Sequence, residues 1–221
     1  PMKIDGFRDS PARAKIFLCQ PAQAAEAAAC ARQIISTLAQ RAFRRPVTAA
    51  MLQPLLGFYE SGHQSGGFET GVRDALAAIL ASPYFLYRVE GGGPDTYTLT
   101  DVELASRLSF FLWGSIPDDA LLQAAMRGEL ANPAALDAQV RRMLADPRAK
   151  SLSTDFAFQW LNVAKMDSIV PVAALFQHAS GVYDPRPALK KELELFMDSI
   201  LRSDRPVTDL LTADHTFINE Q

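Results

Sequence analysis

Cysteine and histidine are scarce in this chain, and the spacing of the cysteines excludes the common metal and haem attachment motifs. The 221 residues include two cysteines, Cys19 and Cys30, with ten residues between them. They therefore form neither a CxxC metal or redox pair nor a CxxCH haem site. A disulfide that ties an N-terminal arm to the first helix would imply an oxidising compartment. Two buried free thiols in a cytosolic protein are the other interpretation, and the sequence leaves both open.

Long hydrophobic runs and basic charge are also missing. The densest apolar stretch, Leu104–Trp113, is interrupted by Arg107 and two serines and is shorter than the about 20 residues that span a bilayer, so no transmembrane segment is predicted. The net charge is −3, whereas nucleic-acid-binding domains carry a basic face, so no nucleic-acid partner is predicted. Since no initiator Met or signal peptide is visible, we interpret the chain as part of a larger protein.

Candidate catalytic residues are few, and their spacing matches known catalytic motifs only in part. Glu60 and His63 have the Glu-x-x-His spacing of carboxylate-bridged di-iron sites, but those sites need a second copy and two more glutamates. Ser65 lies near His63, yet the G-x-S-x-G nucleophile motif is missing. Several glycines predict a loop over Ser61–Gly67, which favours a solvent-facing turn. An independent metal-dependent or hydrolytic enzyme that uses the Glu60-His63-Ser65 loop is the alternative.

The three histidines also predict no metal site. His63, His178 and His215 lie far apart, and none belongs to an H-x-x-x-H pair on a helix. A zinc site needs three or four converging ligands, which nothing in the sequence brings together. We therefore assign no metal ligand and no catalytic residue, and the residues of any cofactor site are unknown.

Helical periodicity dominates the rest of the chain. It predicts an all-α protein: an irregular antiparallel helical bundle in two lobes, with about eight helices and essentially no sheet. Tyr97–Leu99 is the one strand candidate. The predicted helices cover about 24–43, a segment from 48, 68–81, segments from 100, 117 and 132, then 147–165 and 187–202, with further turns near 84–87 and 207–211 and a loop over 166–187.

The triglycine that begins at Gly91 and precedes Pro94 is the clearest linker. It predicts an N-terminal extended arm over 1–20, a small helical domain over 21–90, a linker over 91–98 and a larger helical domain over 99–221 that is truncated at its C-terminal end. Thr100 and Glu103 form a capping box, which predicts that the second domain opens with a helix.

Two clusters have both a functional and a structural interpretation. Arg41, Arg44 and Arg45 could form an anion or partner site, but we favour the attraction of cations to a helix C-terminus. A set of aromatic residues could line a pocket, but helical spacing favours a place in the core. These are Phe110, Phe111, Trp113, Phe156, Phe158 and Trp160.

Five segments of the chain resemble a known family. They are RAFRRPVT at 41–48, FETGVRDALAAILASPYFLYRVE at 68–90, LTDVELASRLSFFLWGSIPDD at 99–119, QVRRMLADPR at 139–148 and LLTADHTFINE at 210–220. In this order they resemble the planctomycete cytochrome-associated domains of unknown function. The resemblance covers about 21–221 and looks like two consecutive domains of that family that meet near the triglycine.

The resemblance implies an exported, periplasmic or cell-surface, multidomain protein in which a further domain carries a CxxCH c-type haem site. The chain would be a helical scaffold module that packs beside the haem-bearing domain of the same parent protein, with a role in electron transfer or haem-dependent oxidation. It would hold no cofactor itself, since the c-type haem is expected in a downstream domain. Export also favours a structural disulfide between Cys19 and Cys30.

The resemblance carries over no catalytic residue, so whether the chain is an enzyme stays open. A second alternative is a non-catalytic binding module for a surface partner. A module of that kind would show a large exposed aromatic patch in its structure.

Overall fold

The computed structural model describes residues 10–88, 90–91, 96–178, 181–182, 184–203 and 205–218, and helices dominate it. The α-helices are α1 (Pro11–Ile16), α2 (Ala24–Phe43), α3 (Ala49–Gly66), α4 (Phe68–Ala81), α5 (Pro83–Leu86), α6 (Asp101–Trp113), α7 (Asp119–Met126), α8 (Pro133–Ala145), α9 (Phe158–Trp160), α10 (Arg186–Arg202) and α11 (Asp209–Thr212). Between α8 and α10 lie three 3₁₀ turns (Pro147–Lys150, Val163–Ser168 and Ala173–Leu175) and one π-helical segment (Leu152–Ala157). The predicted all-α class is confirmed.

Sheet is limited to a minimal pair among the described residues. The two-residue strands β1 (Gln177–His178) and β2 (Gly181–Val182) pair antiparallel, with Gln177 opposite Val182. The strand predicted at Tyr97–Leu99 is wrong, because that segment runs without sheet partners into the cap of α6. No described helix combines the length and the apolar character that crossing a bilayer requires.

The described residues group into two compact units. The first contains the residues up to Arg107 together with Ile116–Asn132, and the second contains Leu108–Ser115 and the residues from Pro133 onward. Helix α6 therefore contributes its first half to one unit and its second half to the other. The domain boundaries predicted from the sequence stay a prediction.

The core of the first unit lies between α2, α3 and α4. Apolar side chains on one face of each helix are excluded from solvent, with Ala31, Ile34 and Ile79 fully buried. From α5, Phe85 packs against the same cluster. Helix α2 shows why the helices can be predicted from apolar spacing. Its buried residues recur every three or four positions, so that one stripe faces the core.

Helices α3 and α4 form an antiparallel hairpin that two glycines allow to close tightly. A Cβ on Gly62 would come within 2.9 Å of the Gly71 Cα, and a Cβ on Gly71 would come within 2.6 Å of the Tyr59 carbonyl oxygen. The loop predicted over Ser61–Gly67 is therefore wrong, because α3 continues to Gly66. Gly62 lies inside this helix, where its small size lets α3 and α4 approach closely. The turn is made by Gly67, whose φ is +83°.

A disulfide and an ion pair hold the N-terminal segment against the helices of the first unit. Cys19 and Cys30 form a disulfide, with a Cα–Cα distance of 5.9 Å. Residues 11–16 are helical where an extended arm was predicted, because the Ser10 hydroxyl accepts a hydrogen bond from the Arg13 amide at 3.2 Å and Pro11 occupies the first helical position. Arg13 also pairs with Glu69 at the start of α4.

The second unit is anchored by Trp113. Its indole Nε1 donates to the carbonyl oxygen of Met143 at 2.9 Å, and both side chains are buried. The Arg148 guanidinium lies 3.5 Å above the indole centroid, a cation–π contact. A hydrogen bond from the Ser151 hydroxyl to the Leu112 carbonyl oxygen, at 2.9 Å, ties the same region to α6.

The single helix predicted over 147–165 is broken into shorter pieces. The chain passes from the 3₁₀ turn through the π-helical segment to α9, and Asn162 then adopts left-handed geometry with φ of +59°. Part of the loop predicted over 166–187 is ordered by 3₁₀ turns and by the β1–β2 pair. Apolar spacing alone does not distinguish these tighter and wider helices from α-helix.

The capping box at α6 forms as the sequence predicts. The Glu103 carboxylate accepts from the Thr100 amide at 2.8 Å, and the Glu103 amide donates to the Thr100 hydroxyl at 3.4 Å. Glu103 also accepts from the amide of Gly91 at 2.9 Å. The Thr100 hydroxyl donates to the Glu103 carboxylate as well, at 2.8 Å. The Gly91 amide, the Thr100 amide and the Thr100 hydroxyl together hold the pKa of Glu103 below its usual range, with the bond from Gly91 contributing most.

Candidate functional site

The Glu60-His63-Ser65 segment is helical. All three residues lie on α3, where the Ser65 hydroxyl donates to the Gly62 carbonyl oxygen at 3.0 Å. The His63 ring stacks on Tyr59, with ring centroids 5.4 Å apart and planes at 14°. The side chains of His63 and Ser65 thus contact their own helix. Metal analysis of the isolated chain tests the enzymatic alternative, which stoichiometric iron or zinc would support.

The other two histidines belong to the second unit. His215 lies in the second unit, where its ring contacts Phe196 at a centroid distance of 5.7 Å, and the side chain of His178 lies outside the described residues. Within the described part of the chain, no group of three or more His, Cys, Asp or Glu side chains could hold a metal ion.

Among the described residues of the first unit, Arg44 is the most deeply buried cation, with 6% of its surface exposed. It follows α2 in left-handed geometry, with φ of +57°. Its guanidinium donates to the carbonyl oxygens of Ala42 at 2.9 Å, Tyr84 at 3.0 Å and Tyr87 at 3.1 Å. Arg44 thus sits at the C-terminal ends of α2 and α5, in line with the interpretation favoured from the sequence.

A groove of about 590 Å³ opens beside Arg44, and we call it the arginine groove. Its walls come from the end of α2, from α5 and from the start of α6. They carry three guanidinium groups, two tyrosine rings and two carboxylates. The lining residues are Phe43, Arg44, Arg45, Pro46, Pro83, Tyr84, Tyr87, Arg88, Glu90, Thr100, Val102, Glu103 and Ser106.

The positive charges of the arginine groove act on one another. Burial lowers the pKa of Arg44, and the charges of Arg88 and Arg45 lower it further. Arg41, the third member of the basic cluster, points elsewhere and pairs with Asp119 of α7 at 2.6 Å. The sequence placed three arginines together, and the fold brings Arg88 to two of them while removing Arg41.

The second unit carries a row of exposed aromatic side chains, which we call the aromatic row. Phe111, Phe156 and Trp160 are 56%, 51% and 62% exposed. Phe111 meets Phe156 edge to face at a centroid distance of 6.0 Å, and Phe156 stacks with Trp160 at 6.2 Å with planes at 16°. The core position predicted for these three residues is wrong, whereas Trp113 is buried as predicted. Helical spacing shows that aromatics share a face but not whether a neighbour covers it.

Two family models match the chain in succession. Residues 99–221 match PSD4, a protein of unknown function (DUF1592). The chain belongs to the PSD4 family. Residues 30–90 match PSD5, a protein of unknown function (DUF1595). Both families are typical of the planctomycete cytochrome-associated domains, which confirms the resemblance found in the sequence. No curated protein and no solved structure matches the chain.

The two matches assign the surface features differently. The aromatic row lies wholly within the PSD4 match. The arginine groove takes α5 and the end of α2 from the PSD5 match, and Thr100, Val102, Glu103 and Ser106 from the PSD4 match. Residues of both family segments therefore share this groove inside the first unit.

Proposed function

We propose that the chain is a helical scaffold module of an exported, multidomain, c-type cytochrome-like protein, and that it packs beside the haem-bearing domain. The aromatic row carries the proposal. Large aromatic side chains in mutual contact but open to solvent are enriched where domains and proteins associate, and tryptophan is frequent among the residues that dominate binding. The partner would be the c-type haem domain of the same parent protein, serving electron transfer or haem-dependent oxidation.

Two further observations support this function. The PSD5 and PSD4 matches follow each other in one chain, as in the planctomycete cytochrome-associated proteins. The Cys19–Cys30 disulfide fits an oxidising compartment, because disulfides persist in periplasmic and extracellular proteins and are rare in reducing cytosol. A periplasmic or cell-surface location is part of the proposal.

The first test is an absorption spectrum with a pyridine haemochrome assay on the intact parent protein, made in a host with c-type haem maturation. A covalent haem signal is expected. Absence of haem would overturn the cytochrome assignment.

A second test asks whether the aromatic row is the contact. Trp160→Ser is introduced into the parent protein and into the isolated chain, with Phe58→Ser of α3 as the matched control, since Phe58 is exposed but lies in the first unit. In the parent, Trp160→Ser is expected to lower the thermal midpoint more than Phe58→Ser does. In the isolated chain both changes are expected to be small. Equal effects in the parent would contradict the proposed contact.

The aromatic row also favours a second candidate, a binding module for a surface partner. The nearly parallel rings of Phe156 and Trp160 offer flat apolar faces to an external molecule. The two candidates differ in what the parent protein leaves exposed. Quenching of Trp160 fluorescence by acrylamide should be strong in the parent if the row serves an external partner. It should be weak if the haem domain covers the row, and the buried Trp113 provides the internal reference.

A further inference from the structure

We propose that the arginine groove of the first unit binds a small organic anion that carries an aromatic ring, with an aromatic carboxylate as the best fit. This site is independent of the proposed scaffold function, since it lies in the other unit and needs no haem. Its volume of about 590 Å³ falls within the range of about 300–1,000 Å³ that small-molecule sites occupy.

Charge favours an anion in this groove. Three guanidiniums line it, and both lining carboxylates are already engaged. Glu103 accepts from the amides of Gly91 and Thr100, and Glu90 accepts from Arg107 Nε at 3.1 Å. Arg107 neutralises Glu90, whereas Glu103 keeps its charge, which acts on Arg45. Three guanidiniums against this one remaining carboxylate leave the groove with a positive balance. Planar guanidinium groups match the two oxygens of a carboxylate.

The walls favour an aromatic ligand. Tyr84 and Tyr87 are exposed at the groove, and Pro46 and Pro83 add apolar surface. The Arg45 guanidinium lies over the Tyr84 ring, 5.8 Å from its centroid, so the charge adjoins the aromatic wall, and Tyr87 is the more exposed of the two rings. A ligand with a flat ring can stack on tyrosine while its carboxylate meets Arg45.

The groove is fixed before any ligand arrives. Arg44 is held by carbonyl oxygens at the end of α5, and the Phe43 ring packs on Tyr84 at a centroid distance of 5.4 Å. The opposite wall is held by the capping box of α6. Preformed walls reduce the entropy lost on binding, which favours a specific site over a loose charged surface.

Isothermal titration of the 221-residue chain with 2-naphthoate tests the proposal. The neutral isostere 2-naphthalenemethanol and inorganic phosphate are the comparison probes, because one lacks the charge and the other the ring. Saturable binding of naphthoate is expected, at least about tenfold tighter than either probe. Equal affinity for naphthoate and the alcohol, or for naphthoate and phosphate, would overturn the proposed ligand class.

Two variants locate the site. Arg45→Gln should weaken naphthoate binding about tenfold, since it removes one charge-assisted contact. Arg32→Gln is the matched control, because Arg32 is also exposed and lies on α2 outside the groove. Tyr87→Ala should weaken naphthoate and leave phosphate binding unchanged. If Arg45→Gln and Arg32→Gln bind naphthoate alike, the groove is not the site.

Discussion

The two units are stabilised by different kinds of contact. The first encloses a continuous apolar stripe from α2, α3 and α4, and two glycines bring α3 and α4 into backbone contact. The second is held around Trp113 by polar and cation–π contacts, contains 3₁₀ and π-helical backbone, and leaves the aromatic row in solvent. The first unit thus depends on a closely packed helical core, whereas the second leaves three large aromatic rings in mutual contact open to solvent.

The largest expected effect concerns the tight hairpin of the first unit. Gly71→Ala should lower the free energy of unfolding by about 3 kcal/mol. The new Cβ would clash with the Tyr59 carbonyl oxygen, a backbone atom that cannot move away as a flexible side chain could. Urea unfolding followed by circular dichroism measures the change. Both tryptophans, Trp113 and Trp160, lie in the second unit, so their fluorescence shows whether the loss stays in the first.

Gly57→Ala on α3 is the matched control for that variant. A Cβ at Gly57 would meet no atom within 4 Å. Since alanine favours helix over glycine, the control should raise the free energy of unfolding by about 0.5–1 kcal/mol. If Gly71→Ala were as harmless as Gly57→Ala, close helix contact would not be what stabilises the first unit.

The disulfide gives the next effect. Removing it with the double change Cys19→Ser and Cys30→Ser should reduce the free energy of unfolding by about 2 kcal/mol, near the low end of the usual range because the closed loop is short. Reduction should mainly loosen the N-terminal arm and leave the helical bundle folded. Alkylation without reductant should label no thiol. Two freely labelled thiols in protein kept under air would contradict the bond and count against export.

Each unit also contains one buried hydroxyl for which the described part of the chain provides no hydrogen-bond partner. These are Tyr59 in the first unit and Ser153 in the second. Burial, followed by the charge of Glu60, raises the pKa of Tyr59. Tyr59→Phe and Ser153→Ala should each raise the free energy of unfolding by about 1 kcal/mol, because an unsatisfied polar atom is removed. Tyr87→Phe is the control at an exposed ring and should leave the free energy of unfolding almost unchanged. A loss of stability in Tyr59→Phe or Ser153→Ala would show that the removed hydroxyl has a hydrogen-bond partner.

The sequence predicts what depends on local pattern. Helix α4 spans Phe68–Ala81 as its apolar spacing predicts, and the Thr100–Glu103 capping box starts α6. Both signals are complete within a few residues, so no distant contact is needed to interpret them.

The sequence fails where the deciding contact is distant. The segment around Gly62 has the composition of a loop, but Gly71 nine positions away makes it a helix interface. Arg44 belongs to a predicted cluster, yet two of its carbonyl partners, Tyr84 and Tyr87, lie 40 and 43 positions further along the chain. The exposure of Trp160 could not be inferred from the sequence. Periodicity shows which side chains share a helix face, but not whether another element packs against that face.

Acid should also sharpen the comparison, because two aspartates of the second unit have strongly depressed pKa values. Asp146 accepts from the Arg148 side chain and amide, and these bonds lower its pKa to about 2. Hydrogen bonds from Arg186 likewise lower the pKa of Asp184, also in this unit, to about 2. Because the folded pKa is depressed, the stabilisation is complete above the unfolded value near 4 and is lost as the pH falls from about 4 to about 2.

Carboxyl resonances followed by NMR measure both pKa values. Asp146→Asn should flatten the dependence of tryptophan-detected stability on pH in this window, leaving the part contributed by Asp184. Since Asp184 is exposed and Asp146 is partly exposed, solvent screens both contacts and the change should be small. An unchanged slope in Asp146→Asn would mean that the contact of Asp146 with Arg148 does not hold the Trp113 anchor, and that the indole hydrogen bond to Met143 and the Ser151 bond to α6 sustain this part of the second unit.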